Sequence, residues 1–197
     1  MKLFFSHASP FARKCRIAIR LKSLLSQTDE IEATPLQNPP ELLAANPIAQ
    51  VPSLILENGI AVSNSPLICT YIDKIGTGKS IYGSDELAIR RLENLGDAIM
   101  ETAVKIRLEQ LRPEGEKSPS WIKRWQDNLE RTLIFAEKEV NNIDLNQLNI
   151  GNISIVCALS YLDLRFPEYE WKNKYKNLKQ IQCLLEETLV FKDTFPK

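Results

Sequence analysis

Residues 51–63, VPSLILENGIAVS, constrain the fold more than any other stretch of the chain. Two short apolar runs flank Asn58-Gly59, a dipeptide suited to the positive φ angles of a tight hairpin turn. Two antiparallel strands are therefore expected here. Pro52 cannot donate to a sheet ladder, so it belongs at a strand start or edge. The hairpin leads directly into NSPLICTYIDKI, residues 64–75. That segment reads as a helix with Asn64 or Ser65 as N-cap and Pro66 in its first turn. Upstream, Lys2 to Ser6 reads as a buried strand, and a helix opens at Pro10 and runs to about Leu25. Residues 28–34 read as a weak second strand, and NPPELLAANP as a short helix bracketed by prolines. The order is βαβ, then αββα. A βαβ unit implies a parallel pair with a right-handed crossover, and the hairpin adds antiparallel strands.

The pattern changes after GTGKSIYGS, residues 76–84, which we take as a linker. Beyond it, Leu92, Leu95, Ile99, Ala103 and Ile106 recur at helical spacing, as do Trp121, Trp125, Leu129, Leu133, Ala136 and Val140. The tryptophans fall on that stripe and are expected in the core. Ile150 to Leu164 is apolar on nearly all sides, as a central buried helix would be. The fold class is thus α/β plus all-α: an α/β domain over 1–75, a linker over 76–84 and a helical domain over 85–197. GTGKS resembles the end of a phosphate-binding loop. It lacks the first glycine, because Asp73 stands there, and it follows a helix rather than a strand.

The chain has 25 basic and 25 acidic residues, so its formal charge is zero. That balance gives no bulk electrostatic footprint for nucleic acid or anionic membrane. No apolar run approaches the roughly 20 residues needed to span a bilayer. The expectation is a soluble, cytoplasmic protein with neither nucleic acid nor membrane as partner. Cys15, Cys69, Cys157 and Cys183 all lie in helix-like apolar segments and read as buried free thiols. With His7 the only histidine, no metal site is expected.

Three segments combine turn chemistry with donors. Ser9-Pro10-Phe11 opens the first helix, where a hydroxyl caps free N–H groups. The helix dipole also favours an anion there, and a serine proton can be donated to a thiolate. Val51-Pro52 precedes a strand. An outward-turned Val51 N–H and C=O would pair with another extended backbone. Asn64 and Ser65 open a helix whose N–H groups suit a carboxylate. A thiolate donor, a backbone partner and a carboxylate cradle match a small cysteine-containing peptide.

The whole chain resembles a glutathione S-transferase. It is closest to the small bacterial type with Ser-Pro-Phe at the first helix. The residues that carry this are Ser9-Pro10-Phe11, Asn46-Pro47-Ile48-Ala49-Gln50-Val51-Pro52-Ser53-Leu54 and Asn64-Ser65-Pro66-Leu67-Ile68. The second matches the family's N-P-x-G-x-V-P-x-L, with Ala49 where glycine is common. The resemblance implies a thioredoxin-like N-terminal domain that binds glutathione and a helical domain that lines the second-substrate pocket. It implies a cis Val51–Pro52 bond. Ser9 would face the glutathione sulfur, with Phe11 beside it. Val51, held by Pro52, would pair with the cysteinyl backbone. Ser65 would take the γ-glutamyl carboxylate, and Gln50 would lie near the glycyl end. Asn64 stands where an acidic residue or glutamine usually meets the γ-glutamyl amine. His7 and Arg107 are candidates for the second-substrate pocket.

The activity implied is conjugation of glutathione, as a substrate and without a metal, to a small hydrophobic electrophile in detoxification, by a homodimer. The alternative is a non-catalytic binding or regulatory protein of the same fold. One departure bears on folding. The family opens its central helix with a [ST]-x-x-D capping box, where this chain has Asn149-Ile150-Gly151-Asn152.

Overall fold

The computed structural model describes residues 1–140 and 148–197. Strand β1 (Lys2–Phe5), helix α1 (Pro10–Leu21) and strand β2 (Asp29–Glu32) form the βαβ unit. Helix α2 (Pro40–Ala45) follows, then β3 (Ser53–Ile55), β4 (Ala61–Ser63) and α3 (Ser65–Ile75). The sheet order is β2-β1-β3-β4. β1 pairs parallel to β2 with Leu3 opposite Glu30, and antiparallel to β3 with Leu3 opposite Leu54. β3 pairs antiparallel to β4 with Leu54 opposite Val62. The turn between them carries Gly59 at φ +83°, the conformation that calls for glycine there.

The first helix is shorter than expected. It ends at Leu21, with Lys22 as C-cap, and Ser23 turns the chain at φ 57°. Leu25–Gln27 form a separate 3₁₀ turn.

From Glu86 the described residues are helical or irregular: α4 (Glu86–Gln110), α5 (Pro119–Glu139), α6 (Ile150–Arg165), α7 (Trp171–Lys174), α8 (Lys176–Glu186) and α9 (Leu189–Lys192). α6 is the central helix, with every residue from Ile150 to Leu162 buried. It runs in the same direction as α4, because Gly151 lies against Ile89 and Leu92, while Gly96 lies against Ser154 and Ile155. A Cβ on Gly96 would stand 2.6 Å from the Ser154 backbone, so only glycine allows this approach. No described helix is long and apolar enough to cross a membrane.

Two expectations fail. Trp121 is 51% exposed and leans on Trp125, their ring centroids 5.6 Å apart. The buried stripe of α5 begins only at Leu129, beyond the first turns where Trp121 sits. Cys183 is exposed, whereas Cys15, Cys69 and Cys157 are buried and free.

Helix α1 serves both halves. Ile17 belongs to the helical core, while Cys15, Ala18 and Ile19 pack with the sheet core. With packing on so many sides, its basic residues need partners inside. Lys14 is fully buried, and its ammonium donates to Asp97 at 2.6 Å and Glu93 at 3.1 Å. Burial alone would lower the lysine pKa, but Asp97 and Glu93 outweigh it and raise it. Burial pushes the Glu93 carboxyl up despite Lys14, leaving Asp97 as the closer counter-ion. Arg16 and Arg20 share Glu30, and Lys22 pairs with Asp73 at 3.1 Å.

Candidate functional site

The sheet register gathers the candidate residues. Ser53 pairs with Phe4 on one side and with Ser63 on the other. Continuing both ladders brings Val51 opposite Ser6 and Ser65. The loop before α1, the turn before β3 and the start of α3 therefore meet at one end of the sheet. Cys15 ties α1 to α3 there, its Sγ 3.8 Å from the Ser65 carbonyl and 3.8 Å from Cys69 Sγ. Burial pushes the Cys69 thiol well up, so this pair is apolar packing in character.

Ser9 is the N-cap of α1, and its Oγ accepts from Ala12 N–H at 3.2 Å. The cap uses an oxygen lone pair and leaves the hydroxyl proton free to donate. The two readings of this serine thus use different atoms of one group and coexist. Phe11, the second residue of α1, is half-buried against the helical core.

The Val51–Pro52 peptide is cis, as the resemblance implies. Among the described residues, neither the N–H nor the C=O of Val51 has a hydrogen-bond partner. The loop that carries it is knitted by Asn46, whose Nδ2 donates to the Gln50 carbonyl at 3.0 Å and to Ser53 Oγ at 3.2 Å. Ser53 Oγ donates back to the same carbonyl at 2.8 Å. This leaves the Gln50 side chain exposed. The positioning role of Asn46 was missed in the sequence, where it stood only as the first letter of a longer motif. Ala49 sits at φ 51°, which is why glycine is common at that position.

Asn64 caps α3 through a single long contact, accepting from Leu67 N–H at 3.4 Å. Its φ of 76° with ψ of 117° lies outside the ordinary left-handed well. Ser65 is 97% buried on the same count that leaves it 3% exposed, yet its Oγ has no hydrogen-bond partner. A buried hydroxyl without a partner costs free energy, and such groups mark ligand sites.

His7 lies edge-on to Phe5, centroids 5.1 Å apart, with Nε2 3.8 Å from Glu32. It shares no contact with Arg107, the other residue expected in a second-substrate pocket. No group of residues able to hold a metal occurs among those described.

Residues 8–75 match the family model of the glutathione S-transferase N-terminal domain. Over 176 residues the chain is 29% identical to the uncharacterised GST-like protein YibF of Escherichia coli, covering 87% of this chain and 86% of that protein. A glutathione S-transferase from Methylobacillus flagellatus, solved with GSH bound, superposes with a TM-score of 0.92 at 29% identity, over 100% of this chain and 99% of that one. Residues 8–75 thus carry the glutathione S-transferase N-terminal domain, and the chain as a whole is similar to members of that family. A family member from Pseudomonas fluorescens is similar in two structures. One holds glutathione (TM-score 0.91, 27% identity, 100% and 98% covered). The other holds S-(propanoic acid)-glutathione (TM-score 0.88, 28% identity, 100% and 99% covered). With these relatives, the thioredoxin-like N-terminal domain and helical C-terminal domain expected of a glutathione S-transferase describe this chain.

Proposed function

We propose that this chain binds glutathione along the open end of its sheet and conjugates it, through its sulfur, to a small apolar electrophile. The unclaimed proton of Ser9 carries this reading. Lowering a thiol pKa by about two units needs about 2.7 kcal/mol of preference for the anion. A charge-assisted hydrogen bond of about 1.5–3 kcal/mol, with up to about 1 kcal/mol from the helix dipole, supplies it. Phe11 flanks the sulfur. Val51, turned by Pro52, offers its N–H and C=O to the cysteinyl backbone. Ser65 offers its N–H and orphan hydroxyl to the γ-glutamyl carboxylate, with Asn64 toward the amine and Gln50 toward the glycyl end. The glutathione held by the Methylobacillus and Pseudomonas proteins supports this assignment. The chemistry needs no metal.

The thiolate, once held, attacks the electrophilic carbon. A new carbon–sulfur bond forms as the leaving group departs with its electron pair, or as the π electrons of an activated double bond shift onto its electron-withdrawing group, which water then protonates. The linker over 76–84, the domain bounds at 75 and 85 and a two-fold dimer belong to the same proposal. Conjugation to an aryl halide by wild type and Ser9→Ala tests it. The variant is expected to lose about 10- to 100-fold in kcat/KM while still binding glutathione, the loss of one charge-assisted bond. Unchanged turnover would remove Ser9 from the mechanism. The neutral Asn64 favours weaker glutathione binding than an acid would, which is the observation behind a non-catalytic partner role. Absence of calorimetric binding at millimolar glutathione would select that reading.

A further inference from the structure

Two arginines stand beyond the open end of α1 without an acid. Helix α1 runs antiparallel to α4 and α6. Its far end is fixed near the start of α6, because the Lys22 carbonyl accepts from Thr77 N–H and the Ile81 carbonyl accepts from Ile150 N–H. Its middle is fixed by Lys14 on Asp97, which also accepts from Ser154 Oγ at 3.0 Å. Continuing from Asp97 along the same face of α4 gives Met100, Val104 and Arg107. Continuing from Ser154 along α6 gives Ala158, Tyr161 and Arg165. Ser9 lies ~7.5 Å along α1 from Lys14, while Arg107 and Arg165 lie ~15 Å along their helices from the same level. Helical side chains lean back toward the N-terminus. That lean favours both guanidiniums on the Ser9 side of these helix ends. Phe11, which shares the Lys14 face of α1, packs against the helical core on that side.

The two arginines converge on one group. The Tyr161 hydroxyl lies in the fields of both Arg165 and Arg107. Burial raises the Tyr161 phenol all the same, so it stays neutral. The Nε of Arg165 is buried with no hydrogen-bond partner. Among the described residues, neither arginine forms an ion pair; Arg124 and Arg131 also lack one but are exposed, whereas Arg13, Arg16, Arg20, Arg90, Arg91 and Arg112 pair with acids. Two half-buried guanidiniums around one neutral hydroxyl repel each other, and a planar anion between them relieves that cost.

We infer that Arg107, Arg165 and Tyr161 form a carboxylate-binding subsite for the electrophile, so that the small, otherwise apolar second substrate carries an acid group at one end. The inference deepens the proposed function and rests on it. The subsite holds the acid end of the electrophile on the arginines. The reactive carbon then sits between them and the glutathione sulfur at Ser9.

Calorimetry with the full chain and three probes tests this: glutathione, S-propylglutathione and S-(2-carboxyethyl)glutathione. The two conjugates differ only in a terminal methyl against a carboxylate. Wild type is expected to bind the carboxyethyl conjugate about 10-fold tighter than the propyl one, the scale of one charged hydrogen bond. That ratio is expected to fall toward one in Arg107→Gln and in Arg165→Gln. Equal or tighter binding of the propyl conjugate by wild type would overturn the subsite, whether or not either variant folds. A preference that survives both substitutions would overturn it as well. If glutathione binds and the conjugates do not differ, only this inference falls. If none of the three binds, the glutathione reading falls and takes the subsite with it.

Discussion

Helices α3 and α6 are both capped by asparagine, and the two caps are built to opposite ends. At α6, Asn149 and Asn152 exchange reciprocal bonds of 3.0 Å each, both buried. Two amides thereby complete the box that the family closes with serine or threonine and aspartate. At α3, Asn64 makes one 3.4 Å contact from a strained backbone, and the adjoining Ser65 hydroxyl is buried and unpartnered. The first N-terminus has its polar groups satisfied within the protein, by its own box and by the Ile81 carbonyl, which suits a helix at the centre of a core. The second keeps its donors, which a folded chain tolerates where a ligand completes them. Residue type alone does not distinguish a structural cap from a binding one; the state of the neighbouring donors does.

The largest effect is expected at the closed cap. Asn152→Ala removes the acceptor of the Asn149 N–H and leaves that group buried without a partner, so stability should fall by about 2–3 kcal/mol. A denaturation midpoint that stays in place would show that the box contributes nothing. At the open cap the signs should reverse. Ser65→Ala is expected to weaken glutathione binding about 10-fold while holding or raising the stability of the free protein by about 1 kcal/mol, since it deletes an unsatisfied group. Destabilisation on the α6 scale would mean that Ser65 is structural and would erase the contrast. The smallest effect is expected for Asn64→Asp, which sets a carboxylate toward the γ-glutamyl amine. Glutathione affinity should rise by about threefold, as for a partly exposed ion pair, and the gain should fade with salt. The same gain with a ligand lacking the amino group would assign it to the helix dipole instead.

Much of this was legible in the sequence, for local reasons. Asn58-Gly59 announced the hairpin, Pro10 and Pro66 announced helix starts, and the 76–84 stretch marked the change to helices. What stayed hidden was long-range. The partners of Lys14 lie 79 and 83 residues away, so nothing near position 14 says that its charge is buried. Trp121 carries the spacing of a core stripe, yet periodicity names a face and not where along the helix cover begins. The box at Asn149 departs from the family's pattern, yet it closes reciprocally with an amide in place of a carboxylate. In a site this dry, a neutral acceptor avoids the desolvation that a carboxylate would incur. Of the candidate site, Ser9, Val51 and Ser65 were readable because turn chemistry exposes them. Arg165 was not, because only the alignment of α4 with α6 brings it beside Arg107.

The burial of Lys14 has a consequence for how such a chain can diversify. Its two counter-ions, Glu93 and Asp97, stand on a helix from the other half of the molecule. A recombinant that grafts a foreign helical half onto this amino-terminal half inherits a lysine sealed against water, and it must bring matching acids at those two positions. New substrate ranges can therefore arise by changing the far ends of α4 and α6, whereas wholesale exchange of halves is restricted to donors that preserve the lock.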